Sequence, residues 1–207
     1  GASVEKRPLS DRLSQACAGL VLTLLTAAPA FAASGPGGLL VADGGIQQGF
    51  AAPLAEPGTD CVHAALLEPT HGFLRNTLAS IAGSLRAGAD AVAVEVQVTA
   101  DGVPVLFGDR NLRCRTGRSG LVAKTTWARL RQLEVGAGLR TASGATPLRC
   151  RKSLPGYARC RQVGQIPTLA DALRHFGKRG LILKLPPAGT PAQPIVRVLR
   201  DAVAKGH

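Results

Sequence analysis

The chain has 207 residues, 45% of them hydrophobic, which suits one domain with a real core and excludes a fully disordered polymer. Its 25 Lys and Arg outnumber 13 Asp and Glu, giving a formal net charge of +12, but aromatics are only 3% and no nucleic-acid module is recognisable, which argues against base stacking. The basic surplus suits phosphate groups or anionic lipid surfaces, or is simply a soluble basic surface.

In chain order, residues 1–33 read as a signal peptide. Lys6, Arg7 and Arg12 make a basic start, Ala16 to Ala28 is an apolar run, and Ala30-Phe31-Ala32 is a small-x-small cleavage pattern. An amphipathic or membrane-anchoring helix is the alternative. The chain is therefore expected to be exported, to a periplasmic or extracellular location. Residues 34–58 are rich in Gly, Ala and Pro and read as a flexible linker, with the folded domain spanning 59–207. Cys61, Cys114, Cys150 and Cys160 follow the signal, an even number that permits disulfides in an exported chain. Cys150 and Cys160 bracket RKSLPGYAR and are the favoured pair; four unpaired thiols are the alternative. No C-x-x-C spacing exists, so no zinc or redox motif is read.

Cys61-Val62-His63 is expected to end a short strand. Asn76 or Thr77 caps a helix through Leu78, Ile81 and Leu85 to Gly88. In Ala91 to Val98, valines at 92, 94, 96 and 98 alternate with Ala93, Glu95 and Gln97, which puts the carboxylate and amide on one face of a strand. Asp101-Gly102 reads as a tight turn into Val103 to Phe107, a hairpin that sets Glu95 roughly opposite Gly108 and brings Glu95, Gln97 and Asp109 to one site. A half-buried hairpin with a solvated Glu95 is the plainer alternative. Thr125 or Thr126 caps a helix from Trp127, residues 134–165 are irregular, Thr168 caps a helix to Phe176, Leu181 to Leu185 is a buried strand, and a last helix spans about Pro194 to Lys205. Alternating strands and helices indicate an α/β chain with parallel pairing.

The order of these pieces resembles the glycerophosphodiester phosphodiesterase family. The matching runs are His63-Ala64-Ala65, Arg75-Asn76-Thr77, Gly88-Ala89-Asp90, Glu95-Val96-Gln97, Thr99-Ala100-Asp101-Gly102, Gly108-Asp109, Gly117 to Val122, Pro167-Thr168-Leu169 and Ile182-Leu183-Lys184. The resemblance implies the first half of a (β/α)8 TIM-type barrel, with its site at the C-terminal ends of the strands and an open sheet edge available for self-association. It implies hydrolysis of glycerophosphodiesters or phospholipid headgroups to an alcohol and glycerol 3-phosphate, assisted by a divalent cation, Ca²⁺ or Mg²⁺. It gives His63 as a catalytic proton shuttle, Glu95 as a metal ligand, and Lys184 and Asp109 on the substrate side. Gly108 stands where the family has a second histidine, Gln97 and Ile182 where it has further carboxylate ligands, Ala64 where it has an arginine, and Arg75 where it has a glutamate. These departures imply weakened hydrolysis, or a non-catalytic phosphate- or headgroup-binding domain. His71 and Glu68, in the loop before the first helix, are candidate stand-ins.

Overall fold

The computed structural model describes residues 38–51, 65–186 and 190–207. The predicted signal peptide, the expected strand at Cys61 to His63, and His63 itself lie outside the described residues. Leu39–His207 form one compact unit.

Four strands make one sheet. β1 is Val41–Asp43, β2 is Ala91–Val98, β3 is Pro104–Leu106 and β4 is Gly180–Lys184. β1 and β4 both run parallel to β2, and β3 runs antiparallel to it. The strand β1 corrects the reading of residues 34–58 as a linker. Leu40 and Val41 are good strand formers inside a Gly/Ala-rich stretch, and their backbone finds partners on β2. Leu40 N–H donates to Asp90 Oδ2 at 2.8 Å, and Asp90 N–H donates back to the Leu40 carbonyl at 2.9 Å. Those long-range bonds outweigh a composition that locally favours flexible chain.

The hairpin exists, but its register differs by one residue from the expected one. Val96 faces Leu106 and Gln97 faces Val105, so Glu95 falls opposite Phe107 and not Gly108. The connection is three residues long, because Thr99 N–H bonds the Val103 carbonyl at 3.0 Å. Gly102 takes φ +77°, the left-handed position that such a loop assigns to glycine. β4 also departs from expectation. Its residues alternate between exposed and half-buried, and Ile182 is 42% exposed. Among the described strands it pairs only with β2, so its outer edge is open.

Helices cover one face of this sheet. α1 is Leu78–Arg86, opened by Thr77, whose hydroxyl accepts from Ser80 N–H at 3.3 Å. Two single turns follow, α2 at Arg113–Thr116 and α3 at Trp127–Leu130, then α4 at Tyr157–Val163. α5, Leu169–Phe176, begins with a reciprocal capping box between Thr168 and Asp171. α6 spans Gln193–Ala204 with Pro in its first turn. The valine face of β2 packs with Ile81, Leu106, Leu169, Ala172 and Ile195 into one core. A second core gathers Leu74, Val105, Phe107, Leu112, Leu130 and Ile166 under the loops that follow β3.

The segment from 134 to 165 is less irregular than its sequence suggests. It contains α4, and Cys150 and Cys160 are disulfide-bonded there with Cα atoms 5.7 Å apart. Glu134 anchors it by accepting from Arg161 at 2.9 Å and from Cys150 N–H at 3.1 Å. Cys114 is also disulfide-bonded. The described part is thus α/β with a parallel sheet that is open at β4, the arrangement of a partial barrel.

Candidate functional site

Strand register brings the charged residues together. In parallel strands, residues in register project to the same side of the sheet. Asp43 pairs with Ala93, Ala93 with Ile182, and Glu95 with Lys184. Asp43, Glu95 and Lys184 therefore share the face opposite the valines. They sit where β1 and β4 end, which is the functional end of a parallel barrel sheet.

Arg75 reaches this face from the turn before α1. Its Nη2 pairs with Asp43 Oδ2 at 3.0 Å and with Glu95 Oε1. Its Nη1 donates to Gln47 Oε1 at 3.0 Å and to the Asp43 carbonyl at 3.2 Å. Lys184 Nζ pairs with the other oxygen of Asp43. Burial works against a charged Arg75, but the hydrogen bonds and charges of Glu95 and Asp43 outweigh it and raise the guanidinium pKa above its ordinary value. Burial likewise works to raise Asp43, while Lys184 and Arg75 more than offset it and hold its carboxyl below the ordinary value. The Arg75 and Glu95 side chains are only 11% and 8% exposed, whereas Asp43 and Lys184 are 51% and 41% exposed. The inner pair is the stiff part, since removing one partner of a buried pair costs about 3–5 kcal/mol. The outer pair is open to solvent.

Local backbone features allow this convergence. Gly44 has φ +70°, and a Cβ there would meet Arg75 Nε at 2.8 Å. Asn76 also takes a positive φ, +60°, which asparagine tolerates better than most residues. Buried Asn76 accepts from Glu95 N–H at 3.3 Å through Oδ1, and its own N–H donates to the Gly44 carbonyl at 2.8 Å. It joins the end of β1 to β2 at the level of Glu95.

The sequence-derived site residues are distributed as follows. Glu95 is buried, contrary to the solvated alternative, and its Oε2 has no hydrogen-bond partner. Gly108 stays beside it despite the shifted register, since a Cβ on Gly108 would lie 3.6 Å from Glu95 Oε2. Gln97 spends its amide N–H groups on the carbonyls of Phe107 and Asp109, at 2.9 and 2.6 Å. Asp109 turns its carboxylate to Arg115, 2.9 Å away, and its carbonyl accepts from Gln97 at 2.6 Å. His71 joins Gln48 and Phe73: its Nδ1 lies 3.0 Å from Gln48 Nε2 and 3.3 Å from Phe73 N. Ile182 lies on the site face and offers no donor. Asp43 is absent from the residues the sequence points to, and Arg75 enters there only as a departure from the family motif. The signal for Asp43 was there in Leu39-Leu40-Val41-Ala42-Asp43-Gly44-Gly45, an apolar run entering a glycine turn.

These residues do not fit a divalent cation. Such an ion takes six or more oxygens, several of them carboxylate. Here one Glu95 oxygen and one Asp43 oxygen are already bound to a guanidinium, and the Gln97 amide is fixed by backbone. Among the described residues no group of three or more His, Cys, Asp or Glu gathers to hold a metal.

The family model described as glycerophosphoryl diester phosphodiesterase family matches residues 69–196. The chain is 29% identical over 136 residues to the uncharacterized protein Rv2277c of Mycobacterium tuberculosis, covering 66% of this chain and 42% of that protein. It is 40% identical over 74 residues to a probable glycerophosphodiester phosphodiesterase 1 of the same species, covering 36% and 25%. Among solved structures it resembles an Oleispira antarctica phosphodiesterase in complex with the product sn-glycerol-3-phosphate. That match has a TM-score of 0.52 at 22% identity and covers 81% of this chain and 52% of the other. The chain thus spans about half, or less, of the length of these relatives.

Proposed function

The chain belongs to the glycerophosphoryl diester phosphodiesterase family, and on that premise we propose that it takes glycerophosphodiesters and hydrolyses them slowly to an alcohol and sn-glycerol 3-phosphate. The observation that carries the reading is the register of Glu95 with Lys184 across β2 and β4, with Arg75 closing the same corner. Two cations converging on this corner, Lys184 from the end of β4 and Arg75 from the turn before α1, suit the charge of a phosphoryl group. The product-bound Oleispira relative supports the substrate class.

In this reading Lys184 and Arg75 bear the phosphate charge, and His63 moves the proton between attacking and leaving oxygens. Asp109 shapes the rim through Gln97 and Arg115. The rate is low because Gly108 has no proton to exchange, and the loss of such a group costs about 10²–10⁴ in rate. A family-type cation would supply further charge stabilisation, but the oxygens around Glu95 are already taken by Arg75. Export directed by residues 1–33 and self-association through the open β4 edge belong to the same proposal. The mass of the natural N-terminus and sedimentation of the purified chain test them: an uncleaved cytoplasmic protein would remove the first, a stable monomer the second.

The direct test of function is release of sn-glycerol 3-phosphate from glycerophosphocholine. Slow turnover that His63→Ala abolishes is expected. Efficient turnover would show that the substitutions do not impair the site, and binding without any turnover would make it a phosphate-binding domain only.

A further inference from the structure

We propose that the guanidinium of Arg75 is the resident cation of this site, filling the oxygen cage beside Glu95 so that a phosphate ester is taken without added metal. This rests on the phosphodiester reading above. The cage is explicit. Asp43 Oδ2, the Asp43 carbonyl, Gln47 Oε1 and Glu95 Oε1 all point at one guanidinium. Carboxylate, carbonyl and amide oxygens are the set that a hard cation would recruit. A planar guanidinium with five donors satisfies several of them at once, and it keeps its charge at any physiological pH.

The arrangement is built into the backbone. Gly44 leaves room for the Arg75 stem, and Asn76, the residue after Arg75, itself takes the left-handed turn and accepts from the Glu95 backbone N–H. Asp43, half-exposed, holds the outward side of both Arg75 and Lys184. An incoming phosphate displaces this carboxylate and inherits both cations. The partnerless Glu95 Oε2 beside Gly108 remains as an acceptor for a ligand hydroxyl.

Two titrations of the full chain test this, one with CaCl₂ and one with sn-glycerol 3-phosphate in excess EDTA. The unmodified chain should show no saturable Ca²⁺ binding, and its affinity for the ester should agree within about twofold with and without Ca²⁺. Arg75→Gln should weaken ester binding in EDTA by at least about tenfold. Arg75→Glu, which adds a carboxylate to Asp43 and Glu95, should gain a Ca²⁺-dependent rise in melting temperature. Ca²⁺ binding by the unmodified chain that Glu95→Gln removes, or ester binding lost in EDTA, would overturn the proposal. If Arg75→Glu does not fold, Arg75→Lys decides. It should retain most of the EDTA-resistant binding that Arg75→Gln loses, and equal loss in both contradicts a charge role. Failure to bind the ester in either buffer would sink the phosphodiester reading, while the Ca²⁺ titration still judges Arg75 by itself.

Discussion

Replacing Asp43 by Asn should strengthen phosphate binding, although it removes a charged residue from the site. Two carboxylates, Asp43 and Glu95, now balance two cations, Arg75 and Lys184, so an incoming anion competes with Asp43 for both. The amide keeps the shape and one acceptor oxygen but withdraws the charge. At about 4 Å a unit charge interacts with an anion by about 4 kcal/mol at an effective dielectric of 20, and by about 1 kcal/mol in water. Asp43 is half-exposed, so the lower figure is the relevant one, and affinity for sn-glycerol 3-phosphate should rise about fivefold. The stability cost is small, about 0–1 kcal/mol, because the pair is near the surface and the Asp43 carbonyl still accepts from Arg75. Calorimetric titration in EDTA at low salt, beside a thermal melt of each protein, measures both quantities. Weaker binding by a fully folded Asp43→Asn protein would refute the idea that Asp43 occupies the position of the phosphate.

Gly108→His should fold normally, since its new Cβ makes only ordinary contacts with Asn76 and Glu95. It should place a donor near Glu95 Oε2 and raise glycerophosphocholine turnover by about 10²; an unchanged rate in a folded variant counts against Gly108 as the missing proton-transfer position. Acid should destabilise the fold through Asp43. Its folded carboxyl titrates below the ordinary 3.8, so its contribution is present above that pH and is lost as pH falls through the lower folded value. Melts between pH 5 and pH 2 should therefore steepen below about pH 4, and less so in Asp43→Asn; identical curves would contradict the pairing. Removing the Cys150–Cys160 bond by the double Ser variant should cost about 2–3 kcal/mol for so short a loop. An unchanged denaturation midpoint, or peptide mapping with both thiols free, would show that the bridge contributes nothing.

What was legible in the sequence was local. Thr77 and Thr168 sit directly before apolar residues at helical spacing, and both cap their helices. The alternating valines of β2 specify one core face, because a period of two leaves no other way to bury them. What was illegible depended on distant partners. β1 is three residues in a Gly-rich stretch and acquires its strand conformation from Asp90 and β2. The hairpin register turned on whether Ala100 belongs to the strand or to the loop, which Asp101-Gly102 alone does not decide. Arg75 was read against a motif position that calls for a carboxylate. Its role emerges only when β1 delivers Asp43 beside Glu95.

The most direct measurement is a crystal structure of the chain soaked with sn-glycerol 3-phosphate in the presence of EDTA. The phosphate is expected against Lys184 Nζ and the Arg75 guanidinium, with the Asp43 carboxylate turned away. A phosphate bound elsewhere on the basic surface, such as the Arg149 to Arg161 loop, or bound between Glu95 and Lys184 only when Ca²⁺ replaces EDTA, would contradict it.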